Sequence, residues 1–302
     1  MKKAIGIDIG GTKIAAGLVF EDGQVTNEVR IPSNINSREG MYERLCQAID
    51  ELLDKSELHE EKISFGIGVP GLVDRKNGIA VFQNNLPWEN FPIVARLQER
   101  YSNCEHIALD NDVYQAAYAE WGTSGLAADD LLVFLTVSTG ISAAIINGGT
   151  FLRGKGFAGE LGLLPVRNGQ QSLGRLEKLA SGPALAEAAR EAYNDGTLTT
   201  EEVFQRYHRK DPKAVELIQQ WSDSLTHGIY ALICILDPQK IVFGGSVLQQ
   251  NPDMLDLLKV KLAKELIEAQ KTSLEGLEMT KFENNAGVIG AGLRAIAEMN
   301  KD

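Results

Sequence analysis

The opening 32 residues alternate between apolar runs and turn residues. "KAIGIDIG" and "KIAAGLVF" flank Gly10-Gly11-Thr12, and an Asp22-Gly23 turn leads into "QVTNEVRIP", so this stretch predicts three strands in a meander. Met41, Leu45, Ile49, Leu52 and Leu53 then recur at helical spacing with polar residues between them. "ISFGIGVPG" reads as a buried strand closed by a Pro-Gly turn, and Pro92 can open a helix running through Leu97. "EHIALDND" is a further strand that runs into the helix "VYQAAYAEW", which completes a βββαβαβα order over the first 120 or so residues.

A second round of the same pattern follows. "DLLVFLTVSTG" and "SAAIING" predict strands joined by a Ser/Thr/Gly turn, and "GGTFLRGKGFAGELGLLPV" is glycine-rich and loop-like. Helices are predicted over "GPALAEAAREAYN", over "TTEEVFQRYHR" with its Thr-x-x-Glu start signal, and from Pro212 to Leu236, ending before Asp237-Pro238. "KIVFGGSV" is a strand ending in a glycine pair, "PDMLDLLKVKLAKELIEA" a helix, "LEMTKF" a strand and "GVIGAGLRAIAEM" a closing helix. The expected architecture is α/β: two domains with mixed sheets, a duplicated βββαβα plan, facing each other across an interdomain cleft. The expected boundaries are 1–120 for the N-terminal domain, with the helix of 286–302 packing back on it, and 121–285 for the larger second domain.

Composition changes this picture little but removes several functions. The 302 residues are 44% hydrophobic and 24% charged, and 41 acidic against 30 basic residues give a net charge of −11. That field repels nucleic acid and anionic membrane, so neither is an expected partner. Cys46, Cys104 and Cys234 stand far apart with no C-x-x-C pair, which predicts reduced core thiols. No signal-peptide pattern opens the chain and no apolar run reaches membrane-spanning length, so a cytoplasmic protein is expected.

Candidate chemistry concentrates at the glycine turns. Gly10-Gly11-Thr12 joins two strands, and backbone N–H groups with a hydroxyl can approach an anion closely there, because glycine lacks a Cβ and tolerates positive φ. Asp8, at the end of the first strand, can hold Mg²⁺ through water. Ser138-Thr139-Gly140 repeats the turn, and Gly244-Gly245 ends a later strand.

"DIGGTK" at 8–13, "GVPGLVD" at 68–74, "DND" at 110–112, "LTVSTGI" at 135–141, "RGKGFAGELG" at 153–162, "LEKLASGPAL" at 176–185 and "IVFGGSV" at 241–247 resemble, in order and spacing, the ROK family of repressors, open reading frames and kinases. The resemblance runs from end to end. It implies the ribonuclease H-like, actin/hexokinase-type ATPase fold and an ATP-dependent kinase acting on the 6-hydroxyl of a hexose, with ATP and Mg²⁺ and a homodimeric state. By the same resemblance Asp112 is the catalytic base, although a carboxylate at that strand-to-helix junction can also cap the helix. Asp8, Gly10, Gly11, Thr12 and Lys13 match the first phosphate loop, Thr139 and Gly140 the second, and Gly244 and Gly245 the adenosine-side turn. Gly71, Asn85, Asn111, Glu160 and Glu177 match positions that hold sugar hydroxyls. Trp88 is either a core residue or the floor of the sugar pocket.

Two departures matter. Most members carry a histidine after Glu-x-Gly, then cysteines that complete a zinc site. Here Leu163 replaces the histidine and "RNGQQSLGRLEKLASGP" replaces the cysteine segment, so no zinc is expected. Leu163 also removes a hydrogen-bond partner from the anomeric side of the sugar and adds an apolar wall. Glucokinase, β-glucoside kinase and N-acetylmannosamine kinase activities all stay open. The second departure is Ser142-Ala143-Ala144 in place of a glycine run, which adds Cβ atoms after the second phosphate turn. A repressor of this family carries a DNA-binding module ahead of the sugar domain; "DIGGTK" at residue 8 and the acidic charge argue against that reading, and Asp8, Thr12 and Asp112 argue against a non-catalytic sugar sensor, so these two stand only as alternatives to the kinase.

Overall fold

The structure is a computed structural model that describes residues 1–59, 61–83, 85–167, 173–282 and 285–299. The chain divides into two compact units, Met1–Leu126 with Asn284–Asp302, and Ala127–Glu283.

In the first unit β1 (Lys3–Ile9), β2 (Lys13–Phe20) and β3 (Val25–Pro32) form the expected meander. The chain continues through α1 (Arg38–Ser56), β4 (Ile63–Val69), β5 (Leu72–Asp74), β6 (Ile79–Phe82), β7 (Glu89–Phe91), α2 (Ile93–Arg100), β8 (Cys104–Asn111) and α3 (Asp112–Gly122). The main sheet has the order β3-β2-β1-β4-β8, with β4 parallel to β1 and β8 parallel to β4. β4 is buried at every position, which is why it reads as a continuous apolar run rather than an alternation. α1 is capped by Ser37, whose Oγ accepts from the Gly40 N–H at 3.0 Å, and it buries Met41, Leu45, Ile49 and Leu52. Trp88 lies in the same core, 2% exposed, stacked on Phe91 at 4.7 Å and donating to the Arg38 carbonyl at 3.1 Å; it is not a pocket floor.

The C-terminal helix (Ala286–Glu298) returns to this unit. Gly17, Gly6, Gly66 and Ala108 stand in register across β2, β1, β4 and β8, a row of small residues in which the helix lies. A Cβ on Gly6 would fall 2.0 Å from the Val288 carbonyl oxygen, and one on Gly66 1.7 Å from that of Ala291. No side chain fits those gaps, so the glycines of "AIGIDIG" and "SFGIGV" serve helix docking as well as the turns.

The second unit contains β9 (Leu131–Val137), β10 (Ile141–Asn147), β11 (Thr150–Phe151), a 3₁₀ turn at Leu161–Leu163, β12 (Pro165–Arg167), β13 (Leu173–Arg175), α4 (Leu176–Ala180), α5 (Gly182–Tyr193), α6 (Thr200–His208), α7 (Pro212–Leu236), β14 (Lys240–Gly244), α8 (Ser246–Gln250), α9 (Met254–Glu265) and β15 (Leu277–Met279). Its sheet order is β11-β10-β9-β14-β15, again an antiparallel meander followed by two strands parallel to the first. The duplicated plan is therefore real. α6 starts with the capping box of Thr199 and Glu202, and α7 starts at Asp211, whose carboxylate accepts from Lys213 and Ala214. Trp221 of α7 donates its indole N–H to the Ala180 carbonyl at 2.7 Å, which ties α7 to the end of α4.

Several details differ from the sequence expectation. β5, β6 and β7 form a small separate sheet inside what reads as a strand-to-helix connection. β12 and β13 pair as a hairpin, Val166 opposite Gly174, in a segment that reads as loop. Of the three cysteines, all free, only Cys46 is buried; Cys104 is half-buried, and Cys234, near the end of α7, is exposed, so it is not a core thiol. Among the described residues no helix is long and apolar enough to cross a membrane.

Candidate active site

In the first unit, the parallel strands β1, β4 and β8 bring their carboxyl ends together, the position where open α/β sheets bind ligands. Asp8, Gly68 and Asp110 lie side by side in register, and Asn111 and Asp112 follow at the junction into α3. The cap of α3 is Asn111, whose Oδ1 accepts from the Val113 N–H at 2.9 Å; Asp112 Oδ1 accepts from the same N–H, also at 2.9 Å. Asn111 and Asp112 thus share the Val113 N–H at the start of the helix. Asn111 Nδ2 donates to the Gly71 carbonyl at 2.9 Å, so Gly71 and Asn111 form one structure.

The electrostatics of this end are unusual for surface carboxylates. Burial, with the charge of Asp112 second, pushes Asp8 up to about 6, while Lys13 and Arg30 pull it down. Burial also raises Asp112, against the opposing pull of the N–H bonds it accepts and of Asn111. One contributor has no counterpart in the motif reading. Gly287, in the first turn of the C-terminal helix, packs against Asp8, and a Cβ there would come 2.6 Å from the Asp8 carboxyl carbon. The residue before that helix, Asn285, does not cap it; its side chain accepts from Arg30 and donates to Glu28 at 2.9 Å. The glycine spacing in "AGVIGAG" was the available signal, but only the fold pairs it with Asp8.

The Gly10-Gly11-Thr12 turn closes β1 onto β2 through the Gly10 N–H, which donates to the Lys13 carbonyl at 2.9 Å. Ser33 braces it, donating its N–H to Thr12 at 3.0 Å and its hydroxyl to Gly10 at 2.6 Å. Neither Gly10 nor Gly11 adopts positive φ, contrary to the expectation. Gly11 is small because Asn85 presses against it: a Cβ would lie 3.0 Å from the Asn85 carbonyl oxygen. The structure thereby joins Asn85 to the first turn, while Thr12 and Lys13 remain exposed.

The second unit repeats the turn with different supports. Ser138 donates to the Gly140 carbonyl at 2.9 Å, and Ser138 in turn accepts from the Gly182 N–H, at 2.9 Å, at the start of α5. Glu177 of α4 braces the far side, its Oε2 accepting from the Ile141 N–H at 3.2 Å and lying where a Cβ on Gly140 would collide, at 2.6 Å. Glu160 is close to Glu177: its carboxyl is raised by partial burial and, second, by the Glu177 charge. Leu163, 49% exposed, follows within the same 3₁₀ turn. Ala143 and Ala144 are buried strand residues of β10 and Ser142 is half-buried, so their Cβ atoms belong to the sheet rather than to the turn.

Gly245 has φ of +87° and backs onto the end of β9, where a Cβ would meet the Val137 carbonyl oxygen at 2.4 Å. It turns β14 into α8 beside a cavity of about 330 Å³ lined in part by Thr139, Pro183, Arg190, Thr200, Ser246 and Gln250. Arg190 is held by its Nε bond to the Leu198 carbonyl at 2.9 Å. Among these, Arg190, Thr200 and Gln250 had no motif to announce them. Among the described residues no three His, Cys, Asp or Glu side chains gather as a metal cage. Residues 168–172, part of the segment "RNGQQSLGRLEKLASGP" on which the expectation of no zinc rests, lie outside the described residues.

The ROK family profile matches residues 4–298. An N-acetylmannosamine kinase of Escherichia coli O9:H4 is 32% identical, over 97% of this chain and 98% of its own. The ROK hexokinase of Thermus thermophilus superposes with a TM-score of 0.85 at 30% identity, covering all of both chains. A ROK family glucokinase of Streptomyces griseus, solved with glucose and AMPPNP, gives a TM-score of 0.74 at 26% identity over 98% of this chain and all of its own.

Proposed function

Because this chain belongs to the ROK family, we propose that it is an ATP-dependent sugar kinase that phosphorylates the 6-hydroxyl of a hexose or hexose derivative. The observation that carries the reading is the carboxyl end of β1, β4 and β8, where Asp8 lies in register beside Gly68 and Asp110, Asp112 follows at the start of α3, and burial holds both Asp8 and Asp112 above the ordinary carboxylate range. A solvated surface cap would not be held in this way.

In this reading Asp112 accepts the proton of the 6-hydroxyl as its oxygen bonds to the γ-phosphorus and the bond to the bridging oxygen of ADP breaks. A carboxylate held above its ordinary range is a better base near neutral pH. Asn111 and Gly71, tied to each other, and Asn85 orient the acceptor. In the second unit Glu160 and Glu177 accept hydroxyls, and Leu163 presents an apolar surface beside them. The Thr139-Gly140 turn and the neighbouring cavity take the triphosphate and the nucleoside; the complex of the Streptomyces griseus relative with AMPPNP supports the choice of ATP. The donor set at Asp8 suits Mg²⁺, a hard cation that takes one or two carboxylates plus water and phosphate oxygens rather than a protein cage. Asp8 would hold it through water, and bound there it neutralises charge on the phosphate oxygens.

ADP release measured against glucose, mannose, N-acetylmannosamine, fructose and cellobiose tests the reading; no ATP consumption with any sugar would overturn it. We further propose a homodimer without zinc. Sedimentation should report a mass near twice the 32.9 kDa chain, and metal analysis should find no stoichiometric zinc.

A further inference from the structure

Eleven large apolar side chains among the described residues are exposed, and six of them, Leu72, Phe82, Leu152, Phe157, Leu163 and Leu173, come from the two segments that carry the proposed hydroxyl-binding residues. Scattered exposed leucines need no explanation, but a concentration beside polar ligand groups marks a binding surface. In the first unit the pair is Leu72 and Phe82, 57% and 56% exposed, directly opposite each other on β5 and β6. Cross-strand partners project from the same face, so they form one apolar surface.

That surface is fixed to the acceptor end by its backbone. Leu72 follows Gly71, whose carbonyl accepts from Asn111, the neighbour of Asp112. Gly71, at φ +81°, is pressed so closely on the Phe82 backbone that a Cβ would lie 2.3 Å from its carbonyl oxygen. The buried Gln83 donates to the Leu72 carbonyl at 3.3 Å, which locks the two strands beside the turn. The two side chains are therefore exposed on a rigid support, one residue beyond a group that would bind hydroxyls.

A single hexose presents mostly hydroxyls, and these would be satisfied at Asn111 and Asn85. A second pyranose ring presents a face of C–H groups, for which an aromatic ring beside an aliphatic side chain is a fitting partner, through apolar contact and the negative face of the ring. We infer that Leu72 and Phe82 form a subsite for the second ring of a disaccharide, joined through a hydroxyl other than the anomeric one of the ring that is phosphorylated, so that the preferred acceptor is a disaccharide rather than a free hexose. The inference rests on the kinase reading, since it takes Asn111 and Asp112 as the acceptor end.

Its test is the ratio of kcat/KM for disaccharides (cellobiose, maltose, sucrose) to that for glucose, in the wild type and in Phe82→Ser, Leu72→Ser and Phe82→Tyr. The wild type should favour one disaccharide at least tenfold, Phe82→Ser should lower that ratio at least fivefold, chiefly through KM, and Phe82→Tyr should keep it. An unchanged ratio in a folded Phe82→Ser variant, or a wild type that favours free hexoses, overturns the inference. So does a change of sedimentation mass in Phe82→Ser, which would make the surface a contact between copies. Saturation-transfer NMR with the same disaccharides separates the two readings: contact at a second ring that is lost in Phe82→Ser supports the subsite even where no sugar is phosphorylated, and its absence overturns it.

Discussion

The two units use one sheet plan for different chemistry, and the clearest comparison is the carboxyl end of the first strand in each. In the first unit Asp8 of β1 is in register with Gly68 of β4; in the second, Thr136 of β9 is in register with Gly244 of β14. The glycine is common to both positions for different local reasons: a Cβ on Gly68 would press on Gln115 of α3 at 3.2 Å, and one on Gly244 would strike the Phe134 ring at 2.5 Å. The partner differs: a carboxylate in one, a neutral hydroxyl in the other. The strand after it differs in the same sense, since β8 runs into Asp110-Asn111-Asp112 and β15 into Thr280. In the proposed reading one end serves the acceptor's proton and a cation and the other phosphate and nucleoside, although their backbones follow the same route. A few side chains at equivalent positions distinguish two copies of one frame.

Removing the base should break the comparison most completely. Asp112→Asn should lower kcat by ~10²- to 10⁴-fold while calorimetry finds sugar affinity within about tenfold, because the proton is taken mainly in the transition state. A variant retaining more than about a tenth of the rate would return Asp112 to the role of a helix-capping residue.

The next effect comes from the glycine packed on Asp8, which here comes from the C-terminal helix, whereas Thr136 is met by Gly245 of the turn after β14. Gly287→Ala places a methyl group in the space of the Asp8 carboxyl, and a displacement of about 1 Å in a positioning group can cost up to ~100-fold in rate. Circular dichroism should show the fold retained while kcat/KM for ATP drops by at least about tenfold. Equal kinetics in the variant would mean that Asp8 has no need of its present position.

A substitution in the second unit should change selection more than chemistry. Leu163→His restores a hydrogen-bond partner beside Glu160, so KM for free glucose should fall while acceptors substituted at C1 or C2 are penalised. One neutral hydrogen bond contributes about 1 kcal/mol, close to a fivefold change in the ratio of kcat/KM values. A ratio that moves less than about twofold would place Leu163 away from the sugar.

The smallest effect is on stability, and it runs opposite to the loss of function. Asp8 has its folded pKa raised to about 6 from an ordinary 3.8, so the folded state binds its proton more tightly than the unfolded chain does. The carboxylate therefore costs stability at neutral pH, and the cost disappears as pH falls through 6 towards 4. Asp8→Asn should raise Tm at pH 7 by a few degrees, on the order of 1 kcal/mol, with the gain shrinking at pH 4.5. Thr136→Val in the second unit should show no such pH-dependent gain.

What could be read from the sequence follows from how locally each feature is determined. The capping box of Thr199 and Glu202 and the span Pro212–Leu236 lie in single stretches, so their signals were complete. The three-residue strands β5, β7, β12 and β13 are too short to show a period and are defined only by pairing with a neighbouring strand. At the site, Asp8, Asp112 and Gly140 could be named from motifs, but the positive φ expected of Gly10 and Gly11 is not adopted. Their φ is ordinary, and the constraint on Gly11 comes from Asn85.

The sequence by itself determined the alternation of strands and helices, the duplicated plan and the residue types that sit at its turns, because hydrophobic period and turn chemistry act over a few residues. Tertiary structure decided which of those residues act together. Gly287 meets Asp8 from the opposite end of the chain, Asn111 reaches Gly71 across a strand and a small sheet, and Glu177 braces a turn that lies far ahead of it. Burial and the repulsion between Asp8 and Asp112 likewise exist only once the sheet has assembled, because a carboxyl's affinity for its proton depends on the charges and the solvent that folding brings to it or removes.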